Sequence, residues 1–194
     1  MLFRSIKEML QKKFNIDEKH IDVMPHSLNS NVEFIAEKSS IPDIDLVGLS
    51  NSNSETIISD FIQEAKLNNT FAKNKIHIVL KSKVINFDDG YLKVINGYFS
   101  DDEYNQMIAR AKYIFIPFPD DFGYRESGTL MDALSNKKLV IASDIRLIRV
   151  YKQNYPNICY IYKGVSSVID ILKRNTNECN IYEEEFSKFS FYHS

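Results

Sequence analysis

The chain has 194 residues, of which 44% are hydrophobic and 26% charged, a composition typical of a globular protein with one large domain or two small ones. It excludes disordered and collagen-like chains, and no apolar run approaches the roughly 18 residues of a membrane span. With 24 basic and 26 acidic residues the formal charge is -2, so nucleic acid is not an expected partner. The first thirty residues are charged where a signal peptide is apolar, so we expect a cytoplasmic protein.

Cysteine and histidine give no sign of a metal or redox site. Cys159 and Cys179 are twenty residues apart and lack metal-ligand spacing, which favours reduced thiols. The four histidines are scattered, and no two of them are four residues apart on a helix face. We therefore expect no metal and no bound cofactor, and no nucleophile motif of the G-x-S-x-G type is present.

Short apolar runs alternate with segments of helical period between about residue 40 and residue 175, which predicts an α/β fold. The runs are almost continuously apolar, as in parallel strands buried on both faces. The sequence therefore predicts one Rossmann-like domain, a parallel sheet of about six strands with flanking helices. The predicted strands are Ile44 to Leu49, Ile76 to Leu80, Tyr91 to Ile95, Tyr113 to Pro117, Leu139 to Ser143 and Ile158 to Tyr162.

Start signals mark the helices between these strands. Ser52 with Glu55, and Ser100 with Glu103, have the spacing of a capping box and predict helices after the first and third strands. Apolar periodicity predicts two further helices near residues 127–136 and 165–173.

One connection has two interpretations. Only ten residues separate Leu80 from Tyr91, which is about the lower limit for a helical crossover. Asp88, Asp89 and Gly90 also fit a hairpin turn, so the chain forms either a crossover or a hairpin here.

Both ends of the chain carry apolar side chains that need a partner surface. At the N-terminal end, apolar residues at four-residue spacing predict an amphipathic helix: Leu2, Ile6, Leu10 and Phe14. The other end has four aromatic residues in seven positions, which indicates an interface: Phe186, Phe189, Phe191 and Tyr192.

The segment from Phe118 to Thr129 leads into a predicted helix and carries the strongest indication of a binding site. Ligands of open parallel sheets bind beyond the carboxyl ends of the strands, where this segment lies. Its Ser127, Gly128 and Thr129 open the helix with small residues and unpaired amides, an arrangement that suits a phosphate group.

Two charged residues flank this opening. Arg125 is placed to add a bidentate contact to a diphosphate, and Asp132, one turn into the helix, to bind hydroxyls of a ribose or sugar. The alternative is that Ser127 only caps the helix, Arg125 pairs with Glu126 or Asp121, and Asp132 is solvated.

Two other loops are weaker candidates. Ser50 and Asn51 lie in a small polar turn after the first strand, which fits either a phosphate-accepting turn or a solvated cap. Gly97 and Tyr98 follow the third strand, where backbone amides and a ring could meet a nucleobase edge, although a glycine before a capped helix is also ordinary turn chemistry.

Three stretches resemble the group 1 (family 4) glycosyltransferases of the GT-B fold, in their C-terminal, nucleotide-sugar-binding half. The most specific stretch runs from Tyr124 to Ser143 and is similar to the family's "SG..leAla.GkpVias" signature. Tyr98 to Pro117 is similar to the family's strand, helix and strand ending in proline. Ile6 to Ser27 is similar to its interdomain helix and hinge, so residues 1–30 are expected to form that passage.

The resemblance implies a donor site for retaining glycosyl transfer in polysaccharide or glycoconjugate biosynthesis. In it Ser127, Gly128 and Thr129 hold the diphosphate of a nucleotide sugar, and Asp132 takes the ribose. It also implies an acceptor-binding domain that this chain lacks, onto which residues 175–194 would pack, and peripheral association of the complete enzyme with the inner membrane.

Two departures separate the chain from that family. Tyr124 stands where the family has the first glutamate of its Glu-x7-Glu motif, with Asp132 in the place of the second. The possible substitutes for that first glutamate in the binding site are Glu126, Asp121 and Asp120. Residues 50–54 also contain no cation where the family has arginine and lysine, and Arg125 or Lys81 are the possible substitutes. The alternative function is therefore a non-catalytic Rossmann-like binding or scaffold module, or one subunit of a split transferase.

Overall fold

The computed structural model describes residues 7, 10–21, 43–122, 125, 127–173 and 179–193. These residues form an α/β domain with a seven-stranded sheet flanked by helices, which confirms the predicted fold class. The strands are β1 (Ile44–Gly48), β2 (Ile78–Ser82), β3 (Phe87–Asp88), β4 (Leu92–Asn96), β5 (Ala111–Ile116), β6 (Leu139–Ala142) and β7 (Cys159–Ile161).

The strand order across the sheet is β3-β4-β2-β1-β5-β6-β7, and every pair is parallel except β3 with β4. The six parallel strands thus follow the order third, second, first, fourth, fifth, sixth, which is the order of doubly wound nucleotide-binding sheets. The first described strand, β1, lies in the middle of the sheet. The following strands β2 and β4 lie outward from it on one side, and β5 lies next to β1 on the other side. The order therefore reverses between β1 and β5.

Helices connect the strands and cover the sheet. They are α1 (Glu55–Asn68), α2 (Thr70–Asn74), α3 (Asp101–Arg110), α4 (Gly128–Ser135), α5 (Arg146–Asn154), α6 (Val165–Leu172) and α7 (Cys179–His193). Helix α1 packs on β2 and β4 and against α6, whereas α3 packs on β1 and β5. Since parallel crossovers are right-handed, these helices lie on opposite faces of the sheet.

The core consists of the apolar runs that the sequence marks as strands. Leu46, Val47, Ile114 and Phe115 in the two central strands are almost completely inaccessible to water. Gly48 is required at the end of β1, because a Cβ there would lie 3.1 Å from Leu80 and 3.2 Å from the Phe115 carbonyl oxygen. The two central strands therefore approach closely at the edge where β1 ends.

The connection between β2 and β4 contains a hairpin. The short strand β3 pairs antiparallel with β4, with Phe87 opposite Val94 and Asp88 opposite Lys93. Gly90 in the turn has φ +90, a left-handed conformation that glycine adopts without strain. The hairpin interpretation is correct, and β4 still pairs parallel with β2 on its other side.

The two predicted capping boxes have different outcomes. Ser100 and Glu103 form both reciprocal hydrogen bonds at the start of α3, which confirms the capping box predicted there. The box of Ser52 and Glu55 is wrong, because α1 begins at Glu55 after Ser54 and no side-chain hydrogen bond caps it. The Glu55 carboxylate instead turns toward the end of β2.

The C-terminal residues form α7, which packs on this domain. Phe186 and Phe189 are buried, and the Phe189 ring meets Tyr155 edge-on at 5.8 Å. The Glu185 carboxylate is buried as well and accepts hydrogen bonds from the backbone amides of Asn157 and Ile158. The contact of residues 175–194 with an acceptor domain stays a prediction, although two of its aromatic residues already belong to this core.

The N-terminal prediction falls largely outside the described residues. Residues 10–14 are helical, which agrees with the expected helix, and Phe14 is 58% exposed. The expected strand and hinge lie between Lys19 and Ser27, and residues 22–27 of this stretch are outside the described residues.

Candidate functional site

The candidate site lies at the carboxyl edge of the sheet, at the reversal of strand order between β1 and β5. Doubly wound sheets bind ligands in the crevice at this position, because the two loops diverge to opposite faces. Here the loop after β1 and the loop after β5 meet at their bases, where the Ser54 amide donates to the Pro117 carbonyl oxygen at 2.8 Å.

The loop after β1 is held by Asn53. Its side-chain nitrogen donates to the carbonyl oxygens of Gly48 at 2.9 Å and Lys81 at 3.0 Å, so one amide joins the ends of β1 and β2. Asn53 is buried, and its Oδ1 has no hydrogen-bond partner among the described residues. The predicted site residues Ser50 and Asn51 lie just before it, half-buried and exposed respectively.

A carboxylate lies at the first turn of the helix that follows this loop. Glu55 accepts a 2.6 Å hydrogen bond from the Ser82 hydroxyl and a 2.7 Å hydrogen bond from the Lys83 amide. A negative side chain interacts favourably with the amino end of a helix and repels a second anion there. The loop after β1 therefore favours neutral ligand groups over phosphate.

The amino end of α4 has the features expected of an anion site. The buried Ser127 hydroxyl accepts from the Leu130 amide at 3.1 Å and caps the helix. Gly128 is exposed, and a Cβ built on it would meet no atom of the described residues within 4 Å, so a ligand can approach the backbone closely. Thr129 is half-buried beside it. Both the capping role of Ser127 and the open approach at Gly128 are present.

Arg125 lies beside this helix end with its guanidinium exposed. Its Nε donates to the Phe122 carbonyl oxygen at 2.9 Å, and the guanidinium carbon lies 4.5 Å from the centre of the Phe122 ring. No ion pair joins Arg125 to Asp121, both of which are described. Glu126, the other predicted partner and site residue, lies outside the described residues, as does Tyr124.

Asp132 is already engaged by a neighbouring helix. The Tyr104 hydroxyl on α3 donates a 2.9 Å hydrogen bond to its Oδ2. Burial raises the pKa of Tyr104 well above its ordinary value, and the Asp132 charge and hydrogen bond raise it further. Asp132 is half-buried, and a ribose hydroxyl would share or replace the tyrosine as its donor.

The loop after β4 contributes an exposed ring over a buried lysine. Tyr98 is 94% exposed, and Gly97 before it is half-buried. Lys81 on β2 is 8% exposed, and its Nζ lies 5.1 Å from the centre of the Tyr98 ring and 5.6 Å from that of Phe99. No described carboxylate lies within 4 Å of this ammonium.

Aromatic rings are the charge-stabilising contacts that the described residues offer the Lys81 ammonium. A desolvated cation–π contact contributes about 2 kcal/mol, whereas removing an ammonium from water costs several kcal/mol. Lysine is almost never this buried without a charged partner.

An open groove adjoins the same rings. It has a volume of about 600 Å³, within the size range of small-molecule sites. It runs along the outer strands toward α3, with a mostly apolar floor and acidic and basic side chains at its rim. Its lining residues are Asn86, Phe87, Asp88, Lys93, Val94, Ile95, Tyr98, Phe99, Glu103 and Met107.

The structure thus brings the predicted site residues to one edge of the sheet but not to one point. Those of the loop after β1 and of α4 flank the reversal between β1 and β5. Tyr98 follows β4, two strand spacings or about 10 Å from β1. Sequence reasoning missed Tyr104 as the partner of Asp132, because its helical spacing places it in an apolar stripe.

No group of three or more histidine, cysteine, aspartate or glutamate side chains that could hold a metal ion occurs in the described part of the chain. Across the described helices, none combines the length and hydropathy that crossing a bilayer requires.

Comparisons with known proteins add little to this geometry. No protein-family model matches the chain, and no curated protein matches it. Among solved structures, a molybdenum cofactor carrier protein from Chlamydomonas reinhardtii is similar over 67% of this chain and 96% of its own, with 10% sequence identity and a TM-score of 0.36. A likeness this distant has no bearing on ligand or activity.

Proposed function

We propose that this domain binds a nucleotide sugar at the carboxyl edge of its sheet and is the donor-binding half of a retaining glycosyltransferase. The observation that carries the proposal is the amino end of α4, capped by Ser127 and open at Gly128, beside the reversal of strand order. The resemblance of residues 124–143 to the glycosyltransferase signature supports a nucleotide sugar over other phosphorylated ligands.

The proposed chemistry assigns each part of the edge a role. The bond between the sugar C1 and the phosphate oxygen breaks, and the negative charge grows on the departing nucleoside diphosphate. Backbone amides at the start of α4 and the Arg125 guanidinium stabilise that charge as it develops. Asp132 binds the ribose hydroxyls, in the place of the family's second glutamate. The acceptor is held by a separate domain, so this chain alone would bind donor without transferring it.

Calorimetric titration of the purified chain with uridine, guanosine and adenosine diphosphates tests the proposal. We expect one of the three to bind with measurable heat. Absence of binding by all three would contradict the proposal.

Variants at Gly128 connect that binding to α4. Gly128 is exposed, and a Cβ at this position contacts none of the described residues. Gly128→Leu should therefore fold normally and abolish binding by blocking approach to the helix end, while Gly128→Ala should weaken binding less. If Gly128→Leu bound as tightly as the unmodified chain, the phosphate would lie elsewhere.

A non-catalytic binding or scaffold module is the second candidate. The Glu55 carboxylate at the first turn of α1 and the existing bond between Tyr104 and Asp132 favour it, because both reduce the capacity of the edge for a nucleotide. A chain that binds no nucleoside diphosphate but forms a defined complex with a second polypeptide would support this candidate.

A further inference from the structure

Lys81 is a buried cation for which the described part of the protein supplies no anion. The residue is 8% exposed, and its Nζ lies over the faces of two aromatic rings, Tyr98 and Phe99. The half-buried Glu55 carboxylate at the same edge, in contrast, accepts hydrogen bonds from the Ser82 hydroxyl and the Lys83 backbone amide. A buried charge without a counter-charge is uncommon unless a ligand supplies one.

The strand register places Lys81 at the ligand-binding edge. It is the last residue but one of β2 and pairs with Ile95, and Ser82 pairs with Asn96. The loop Gly97–Phe99 therefore leaves the sheet directly beside it. The Lys81 carbonyl oxygen accepts from Asn53, which fixes the backbone of this residue to the loop after β1.

Tyr98 covers the ammonium loosely. With 94% of its surface exposed, the ring has few contacts that hold it in place, and exposed side chains change rotamer within nanoseconds. The Phe99 ring, in contrast, is half-buried and also lines the groove beside β4. Rotation of one ring thus opens a path to the cation while the other keeps it in position.

We infer that the Lys81 ammonium binds a phosphoryl group of the ligand and that the Tyr98 ring turns aside to admit it. The inference rests on the proposed function, which it deepens: Lys81, and not a residue of the loop after β1, supplies the missing cation. The groove that shares Tyr98 and Phe99 would hold the part of the ligand next to that phosphoryl group.

Titrations with matched variants test the inference. Lys81→Met removes the charge and keeps an unbranched apolar side chain, while Lys83→Met removes an exposed charge two residues away. The probes are the three nucleoside diphosphates, their nucleosides and inorganic pyrophosphate. We expect Lys81→Met to lower the affinity for the nucleoside diphosphate at least tenfold and to leave the affinity for the nucleoside unchanged. The affinity of Lys83→Met for the diphosphate should stay within twofold of that of the unmodified chain.

Melting temperature distinguishes a binding role from a structural one. Since Lys81→Met removes a charge for which the described residues supply no counter-charge, its melting temperature should equal or exceed that of the unmodified chain. Lys81→Gln repeats the titration with a neutral polar side chain if the methionine variant does not fold. Diphosphate affinity within twofold of normal in a folded Lys81 variant would overturn the inference and leave the proposed function standing.

The pyrophosphate arm separates the remaining outcomes. Binding of pyrophosphate that is lost in Lys81→Met, without binding of any nucleoside diphosphate, would support the inference and contradict the proposed function. Absence of binding by both pyrophosphate and all three nucleotides would overturn both.

Discussion

The Tyr104 hydroxyl and the Asp132 carboxylate join α3 to α4 through a 2.9 Å hydrogen bond. Tyr104→Phe removes this bond and leaves the ring in place. We expect the free energy of unfolding to fall by about 1–2 kcal/mol, the range for a hydrogen bond to a charged group that is partly solvated. Urea denaturation measures it, with Tyr91→Phe as the control, since Tyr91 stacks on His77 through its ring. Equal stability of the two variants would mean that the bond contributes nothing.

Asp132→Ala tests the ribose contact of the proposed site. We expect the affinity for the nucleoside diphosphate that binds to fall by about 1.5–3 kcal/mol, which is the range for hydrogen bonds to charged groups. Calorimetric titration measures it, and Tyr104→Phe serves as the control because it retains the carboxylate. Unchanged affinity in Asp132→Ala would exclude this residue from the site.

Glu185 holds the C-terminal helix to the turn before β7. Its buried carboxylate accepts from the Asn157 and Ile158 amides and from the Asn157 side chain at 2.6 Å. Glu185→Ala leaves one buried and two half-buried donors unsatisfied and should destabilise the chain by about 2–3 kcal/mol, whereas the exposed neighbour Glu184→Ala should stay within about 0.5 kcal/mol. Thermal denaturation and limited proteolysis of α7 compare the two, and similar losses would contradict the assignment.

The Asn53 amide should contribute to stability through the two carbonyl groups that it satisfies. Asn53→Ala leaves the carbonyl oxygens of Gly48 and Lys81 without this donor and should lower the free energy of unfolding by about 1–3 kcal/mol. Asn53→Asp should cost more, because it places a carboxylate oxygen against a carbonyl oxygen. Chemical denaturation measures both, and an aspartate variant as stable as the unmodified chain would contradict this account.

Alkaline pH should destabilise the protein through Cys159. Burial raises the pKa of this thiol to about 12, whereas an unfolded cysteine titrates near 8.5. The unfolded chain therefore loses the proton first, so the stabilising contribution is complete below about pH 8.5 and declines above it by up to ~1.4 kcal/mol per pH unit. Denaturation of unmodified and Cys159→Ala chains between pH 8.5 and 10 should show a shallower slope in the variant. Equal slopes would contradict the shift.

The sheet could be predicted from sequence because each strand is a short apolar run between polar turns. All six predicted parallel strands are present, with boundaries shifted by up to two residues, as at Ile78–Ser82. The boundary was misplaced because Lys81 and Ser82 are polar and do not continue the apolar run. Strand β2 nevertheless extends through both residues, because both pair with β4.

Helices α2, α5 and α7 escaped prediction because local signals do not determine them. Helix α5 has no capping residue at Ile145 and is polar overall, and α7 is stabilised by tertiary contacts of Glu185, Phe186 and Phe189. The start of α1 was misplaced because Glu55 bonds to Ser82, 27 residues away, in preference to its own helix end.

The candidate site was predictable in part. Small residues at a helix start predicted Ser127 and Gly128 as site residues, and the strand order places that helix start at the carboxyl edge of the sheet. The relationship of Lys81 to Tyr98 could not be predicted, because it depends on which strand lies beside which. The pairing of β2 with β4 depends on the topology of the whole sheet, so neither segment carries a sequence signal that predicts it.

Lys81 has a consequence for engineering this domain. A laboratory selection for heat resistance, conducted without any anionic small molecule, should replace this lysine with methionine or leucine, because the variant chain no longer has to dehydrate a charge. A selection in which survival depends on capturing that molecule should retain it. The residue found at position 81 after each selection would then show whether ligand binding or only stability of the fold was selected.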